Sequence, residues 1–454
     1  MGPLRAPRGV HEVAARLHPR HGGLRVPVSM TVATSEDSPP RGLRNAFRAF
    51  GHRDFRLFWS GALLSNTGAW LASLTIPYVI YQETGSALLV GLVAVFQFMP
   101  FLVSGPLGGV LADRHDRRRI LLLMQTGLML SSLLVWGVVA SGVRQPLVIM
   151  GAVACTGVFA GLNMPSWQAF VNDLVPRDDL QSAVALNSFQ FNAARAIGPA
   201  MAGVLIALVG PSWALLFNAL SYLAVILALA LIRTRPVITP DPDPGRVHTQ
   251  FRATVRYVRS QPGIVMAIII SIIVGALVTP LFQFTVVFAG SVFDVGAVQL
   301  GLMNAAMGLG ALIAIPFIAG WRQVLSLARI VRGSLFAIPF GIVGFALSPN
   351  ATVALIPLAL VGASFLALMS SCNTAVQMIV APLLRGRVIS VRIMFYTVSM
   401  PLGSIVMGTL SDQIGPRATV LGAGVLMMIA ALGLTVAKGR LQLGRLDDPQ
   451  DTDE

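Results

Sequence analysis

Gly105-Pro106-Leu107-Gly108-Gly109-Val110-Leu111-Ala112-Asp113-Arg114-His115-Asp116-Arg117-Arg118-Arg119 joins two apolar runs, 88–111 before it and 119–141 after it. Each run has the length a helix needs to cross the hydrocarbon core of a bilayer, roughly 20 residues. The charges between them, Asp113, Arg114, Asp116 and Arg117 to Arg119, occupy a turn too short to form a domain. The unit is a hairpin of two membrane helices with a basic turn.

Working outward, the same unit recurs. Apolar segments of spanning length run over 55–82, 88–111, 119–141, 146–170, 182–209 and 213–232, then over 263–290, 297–320, 329–348, 351–379, 388–412 and 418–437. Between the two sets lies a polar stretch, 233–262, with Pro-Asp-Pro-Asp-Pro at 240–244. The expected organisation is a disordered N-terminal tail (1–45), a six-helix bundle (46–232), a linker (233–262), a second six-helix bundle (263–438) and a C-terminal tail (439–454). The fold class is all-α integral membrane protein. Residues 1–40 hold no apolar run that reads as a secretory signal, and Met30 is an alternative start.

Composition agrees. The chain is 55% hydrophobic and 11% charged over 454 residues, whereas a soluble domain carries about 25% charge. Its solvent is lipid. The net charge of +14 is not the footprint of a nucleic-acid binder, because the arginines stand in short clusters between apolar runs. Cys155 and Cys372 lie inside apolar runs, without metal-site or redox spacing.

The arginines give the orientation. With the N-terminus inside, the cytoplasmic segments hold Arg41, Arg44, Arg48, Arg53, Arg114, Arg117 to Arg119, Arg177, the linker arginines 233, 235, 246, 252, 256 and 259, Arg322, Arg385 and Arg387. The opposite loops hold Arg144 and Arg417. Positive loops stay inside, so both termini and the linker are expected in the cytoplasm and the chain in the cell membrane.

The halves are related. Gly198, Gly203 and Gly210-Pro211 match Gly403, Gly408 and Gly415-Pro416 at an offset of 205, and Gly85 to Leu92 matches Val295 to Leu302 at an offset of 210. Span two therefore pairs with span eight, and five with eleven. Parallel repeats of this kind enclose a midplane site and rock about it.

Gly109, Asp113, Arg114, Arg117 and Arg118 resemble the major facilitator signature G-x-x-x-D-R-x-G-R-R between the second and third helices, with Asp116 where the family has glycine. Gln168 to Leu180, Ala185 to Ser188, Phe191 to Pro199 and Leu384 to Val388 are similar to the enterobactin-exporter-like branch, which contains siderophore and macrolide exporters. The likeness extends over about 45–440. It implies secondary active export of a small hydrophobic or amphiphilic solute, with proton antiport, by a monomer in the bilayer. Importer, facilitator and non-transporting sensor stay open as alternatives.

The resemblance implies roles for single residues. Gly109 lets two helices approach. Asp113 meets the N-terminus of span eleven, where the helix dipole favours an anion, and Arg117 pairs with Asp173; together they latch the cytoplasmic side. Gly198, Pro199 and Gly203 resemble the exporter pattern G-P-x-x-G-G of the fifth helix, with Gly403 and Gly408 as their repeats. Cavity walls are implied on helices one, four, seven and ten, with candidates Asn66, Trp70, Tyr78, Asn163, Trp167, Gln168, Gln283, Asn373 and Gln377. Arg195 reads as the one ionisable residue far from any helix end. It binds helix carbonyls, binds an anionic solute, or packs. Gly68-Ala69-Trp70 lacks the aspartate that relatives carry there.

Nothing points to an enzyme or an ATP-driven pump. No Walker loop, HExxH or GxSxG occurs, and no metal or organic cofactor is expected. The acids closest to the bilayer interior, Glu83, Asp113, Asp173, Asp294 and Asp412, all sit near span ends. Proton coupling therefore rests on the resemblance.

Overall fold

Prolines and glycines set the helix ends. Gly85, Gly210 and Gly415 take positive φ of 63, 90 and 88°, a region open to glycine without strain. At two of them the next residue, Pro211 or Pro416, opens a helix at a position where its missing N–H costs nothing. The two Gly-Pro corners are the same turn in each half, so the sequence repeat is a structural one.

The computed structural model describes residues 47–233, 247–321, 325–381, 384–437 and 443–447. The expected N-terminal tail, residues 234–246 of the linker and the end of the chain beyond 447 lie outside them. Among the described residues every regular element is helical. The first half holds α1 (Arg53–Thr84), α2 (Ala87–Arg114), α3 (Arg117–Ala140), α4 (Pro146–Asp173), α5 (Leu180–Val209) and α6 (Pro211–Leu231). After α7 (Val247–Ser260) come α8 (Pro262–Leu277), α9 (Leu281–Ser291), α10 (Ala297–Trp321), α11 (Leu327–Leu347), α12 (Ala351–Ile379), α13 (Arg385–Ile414) and α14 (Pro416–Val436).

Among the described residues eleven segments are long and apolar enough to cross a membrane, α8 and α9 counting as one. The twelfth span is α1, whose 32 residues include Ser60, Ser65, Asn66, Thr67, Ser73 and Thr75. These dilute its apolar character and, as described below, some of them face a cavity.

The structure corrects one expectation and adds two features. The seventh span, expected as one helix, is broken between Leu277 and Leu281. Pro280 has no N–H and its ring opposes the carbonyl one turn back; Thr279 N–H reaches instead to Val274 O, 3.0 Å away. The second part of the linker is α7, an amphipathic helix. Its Thr254 and Val258 are buried while Arg252, Arg256 and Arg259 are exposed, the spacing of a one-sided helix. Finally, the C-terminal tail is not wholly free of the bundle. Leu443 and Leu446 are buried in the second-half core, and Asp447 Oδ1 accepts from Leu327 N–H at 2.8 Å, capping α11.

Within the first half α2 packs on α4, α1 on α5 and α6, and α3 on α4 and α6. In the second, α10 packs on α12, α11 on α12 and α14, and α8 on α13. The halves meet mainly along two helix pairs, α5 with α10 and α2 with α13, and α9 also touches α1 and α2. Under the repeat that relates α2 to α10 and α5 to α13, these two seams are images of each other.

Because the spans alternate, the bundle has two faces. The face with Arg53, Arg114, Asp173, Pro262 and Arg385 is called the terminal face. The face with Gly85, Gly210, Asp294 and Gly415 is called the loop face.

Candidate functional site

Small residues bring the two seams together on the loop-face side. On the first, a side chain at Gly203 would meet Ala297 O at 2.5 Å, and one at Gly301 would meet Pro199 O at 2.7 Å. Gly308 lies as tightly on Ala196. On the second, Gly408 faces Leu88 Cα at 2.7 Å, and Gly91 lies against the Ser404 carbonyl. Without Cβ atoms the backbones approach closely, the packing that small residues permit in membrane helices.

A carboxylate closes the end of the second seam. Asp412, in the last turn of α13, accepts from Ala87 N–H at 2.7 Å and Leu88 N–H at 3.0 Å, and from Ser86 Oγ at 2.8 Å. The first N–H groups of a helix have no partner inside it, and the helix dipole favours an anion there. One half therefore caps a helix of the other. Toward the terminal face α5 parts from the second half, where Val184, Phe189 and Phe191 are 48%, 49% and 47% exposed.

On that side a cavity of about 450 Å³ opens within the first half. Its lining is rich in amides: Asn66, Gln97, Gln125, Asn163, Gln168, Asn187, Gln190, Asn192 and Asn218, with Trp167, Phe101, Phe191 and Tyr222 as aromatic walls. No carboxylate, ammonium or guanidinium is among the lining residues. Asn66 Nδ2 donates to Gln190 Oε1 at 3.4 Å and Gln125 Nε2 to Asn163 Oδ1 at 3.3 Å. The other ends of two of these amides, Gln125 Oε1 and Gln190 Nε2, are buried with no partner among the described residues, and so is Asn218 Oδ1. A buried unpaired polar atom costs about 1–3 kcal/mol, so the amide network carries an unmet hydrogen-bonding demand.

Among the described residues two arginines are buried between the faces. Arg195 is 8% exposed and makes no hydrogen bond to a described residue. Its guanidinium lies 4.2 Å from the ring centre of Phe282, 5.0 Å from Phe365 and 5.4 Å from Trp70. Arg392 on α13 is 6% exposed and donates to Ser271 Oγ at 3.2 Å and Asn373 Oδ1 at 3.0 Å. No acid among the described residues pairs with either.

At the terminal face the charged turn is ordered by its own residues. Arg117 donates to both Asp173 oxygens, at 3.1 and 2.9 Å. Arg118 donates to Leu229 O at 2.7 Å and Ala230 O at 2.9 Å, capping the end of α6. Asp116 accepts from Arg118 N–H at 2.9 Å and starts α3 with φ of −59°. That conformation needs no glycine, which is why the departure from the signature is tolerated. Asp113 and Arg114 are exposed, and Asp113 forms no hydrogen bond or ion pair with a described residue.

The comparisons with known proteins decide the family. Residues 44–448 match the family described as transmembrane secretion effectors of the major facilitator superfamily. The chain belongs to this family. It is 27% identical to the enterobactin exporter EntS of Citrobacter koseri, over 88% of this chain and 95% of that one. It is 23% identical to the staphyloferrin A transporter of Staphylococcus aureus, over 79% and 90%. It is 21% identical to macrolide efflux protein A of Streptococcus pyogenes, over 83% and 94%. Among solved structures it resembles a D-xylose–proton symporter at 15% identity, with a TM-score of 0.67 over 86% of this chain and 98% of that one. The chain is a multi-pass membrane protein of the major facilitator fold.

In this transporter the expected residues divide. Asn66, Asn163, Trp167 and Gln168 line the cavity. Trp70 lies under the Arg195 guanidinium and meets Phe191 edge to face, with ring centres 5.7 Å apart, and Tyr78 packs against a core cluster instead. Gln283 has a buried, unpartnered Oε1, Asn373 holds Arg392, and Gln377 is exposed on the terminal side of α12. This cavity is lined from all six spans of the first half, helices one and four among them. The close approach of α2 to α4 falls to Gly108, where a Cβ would meet Leu162 O at 2.6 Å. Gly109 faces open space. Gly198 packs α5 on Trp70 and Thr67, and Gly403 lies against Ala276. Asp113 does not meet α13 here. Arg195 is not the one buried charge, and it contacts aromatic rings rather than carbonyls.

Sequence reasoning missed Arg392, Gln125, Gln190 and Asn218, and gave Asp412 no role. For the amides a signal existed, since each interrupts an apolar run.

Proposed function

We propose that this transporter exports a small amphiphilic solute by alternating access, with the terminal face in the cytoplasm. The observation that carries the reading is an asymmetry. Both seams are packed on the loop-face side, Asp412 capping one of them, while the amide-lined cavity and the exposed Asp113 lie toward the terminal face. This is an inward-facing arrangement, ready to load from the cytoplasm. The exporter names of the relatives support the direction. The cavity's aromatic walls and neutral amides suit a solute with apolar body and hydrogen-bonding groups.

The driving force proposed is a proton gradient, in exchange for the solute. In the outward-facing state Asp113 caps the N-terminus of α13, as Asp412 caps that of α2 here. Everted membrane vesicles carrying the full chain, offered a panel of hydrophobic drugs and siderophores, test both points. Solute should accumulate against its gradient on energisation and leak out when an uncoupler is added. Accumulation in right-side-out vesicles alone would reverse the direction, and accumulation untouched by the uncoupler would remove the proton.

A further inference from the structure

The amide-lined cavity runs deep into the first half. Among its lining residues, Gln168 lies about 8 Å inside the terminal end of α4 and Gln97 about 25 Å inside that of α2, at 1.5 Å of helix per residue. The amides of α3, α5 and α6 fall between these depths. Along that whole length the lining holds no carboxylate, imidazole, ammonium or guanidinium, and neither Arg195 nor Arg392 belongs to it. A group that enters the cavity therefore meets amides, hydroxyls and aromatic rings, and no countercharge.

The amides are weakly engaged with one another. The pairs Asn66 with Gln190 and Gln125 with Asn163 stand at 3.4 and 3.3 Å, longer than the usual N–H···O span of about 2.7–3.2 Å. Gln125 and Gln190 are 2% and 1% exposed, and each keeps one polar atom without a partner among the described residues. Gln97, Gln168 and Asn187 make no side-chain hydrogen bond with a described residue. A carboxamide carries an acceptor and two donors on a terminal bond with broad torsional freedom. Half-used amides of this kind can re-pair with an incoming donor or acceptor by a turn of that bond.

We infer that the part of the solute held in this cavity is uncharged and carries groups that both donate and accept hydrogen bonds, hydroxyls or carboxamides, next to a flat apolar body that lies against Trp167 and Phe191. A neutral glycoside of an aromatic alcohol has this chemistry. A carboxylate or ammonium taken to the depth of Gln97 loses its water and finds no opposite charge, and an unpaired buried charge costs far more than a buried neutral group. A purely apolar solute expels water from the amides and leaves their donors and acceptors unpaired. The cavity therefore selects against acids, amines and bare hydrocarbon alike. Its amides present donors and acceptors together, as a hydroxyl or carboxamide does.

The inference deepens the export reading and rests on this cavity being the transport site, and a binding measurement separates the two. Coumarins of one ring system are offered to the full-length protein in lipid nanodiscs and followed by fluorescence anisotropy. Two are neutral glycosides, 4-methylumbelliferyl β-glucoside and 4-methylumbelliferyl N-acetyl-β-glucosaminide, the second adding a carboxamide. The others are 4-methylumbelliferyl β-glucuronide (carboxylate), 7-(2-aminoethoxy)-4-methylcoumarin (ammonium) and 7-methoxy-4-methylcoumarin (no donor). The better glycoside should bind about tenfold or more tighter than each of the other three, and which glycoside leads tells hydroxyl from carboxamide recognition. Asn163→Leu should weaken the glycosides about fivefold or more and leave the methoxycoumarin within about twofold. Asn163→Asp places a carboxylate in the cavity and should tighten the ammonium compound about fivefold or more while loosening the glucuronide. If the Asn163 variants fail to fold, Gln168→Leu and Gln168→Glu at the exposed mouth take their place. The inference is overturned if the glucuronide, the ammonium compound or the methoxycoumarin binds as tightly as the better glycoside, if neither glycoside binds, or if glycoside affinity is unchanged in the folded Leu variants. Those outcomes leave vesicle export of a charged solute untouched, and nanodisc binding is blind to the direction of transport.

Discussion

Replacing Asp412 should loosen the loop face. The carboxylate accepts from two N–H groups of α2 and from Ser86 Oγ, all within 3.0 Å. Loss of a side-chain cap at a helix N-terminus costs about 0.5–2 kcal/mol, and loss of the anion from the dipole about 0.3–1 kcal/mol. Asp412 is exposed, so the lower part of the combined range applies, about 1–2 kcal/mol. These contacts join α2 of one half to α13 of the other, so the cost falls on the state in which that seam is closed. One to two kcal/mol is a factor of about 5–30 in an equilibrium. The readout is a cysteine at Ser404, which is 2% exposed and lies in the same seam against Gly91. Cys155 and Cys372, both free thiols, are first replaced by serine and alanine. Asp412→Ala should then raise the labelling rate of Ser404→Cys by a membrane-impermeant maleimide about 5–30-fold. Asp412→Asn keeps an acceptor and should fall between. Equal labelling of the parent and both variants would refute the cap as a closing contact.

Other changes test other parts of the account. Asp113→Asn should act in the opposite sense to Asp412→Ala, lowering Ser404→Cys labelling and slowing transport at normal membrane insertion; unchanged labelling and transport would leave Asp113 as a solvated loop residue. Gly301→Val places a branched side chain against Pro199 O and Gly203 Cα, 2.7 and 2.9 Å from its Cβ. Overpacking costs about 1–3 kcal/mol, so loop-face accessibility should rise, whereas Gly109→Val, facing open space, should alter little. Reporter fusions at Gln261 and after Asp412 should report opposite sides of the membrane, and the same side for both would end the twelve-span topology.

Much of the fold could be read from residues alone. Span length, the basic turns and the two Gly-Pro corners are local properties, and local physics sets them. The charged turn at Asp113 to Arg119 was legible for the same reason, and Arg117 does meet Asp173. What stayed hidden depends on partners far along the chain. Pro280 sits in a run apolar enough to pass as one span, because hydropathy does not register a missing N–H. Arg392 lies two turns into α13 behind Arg385 and Arg387, so it merged with that basic cluster. Asp412 looked like an outer-end acid of no special role, since its partners are more than 320 residues away. The cavity takes in Asn66, Asn163, Trp167 and Gln168 of the expected walls and adds amides of the other first-half helices, whose side chains meet only once the bundle is packed.

The most direct test of alternating access is a lock across the loop face. Ser86 Oγ and Asp412 Oδ2 are 2.8 Å apart, so cysteines at these two positions, in a background without Cys155 and Cys372, are within reach of a disulfide. Transport of a solute identified in the vesicle panel is followed in the reduced, oxidised and re-reduced protein, with each single-cysteine protein as control. The account predicts that oxidation stops transport in the double variant alone and that reduction restores it. Transport that continues at the reduced rate with the disulfide formed would contradict it.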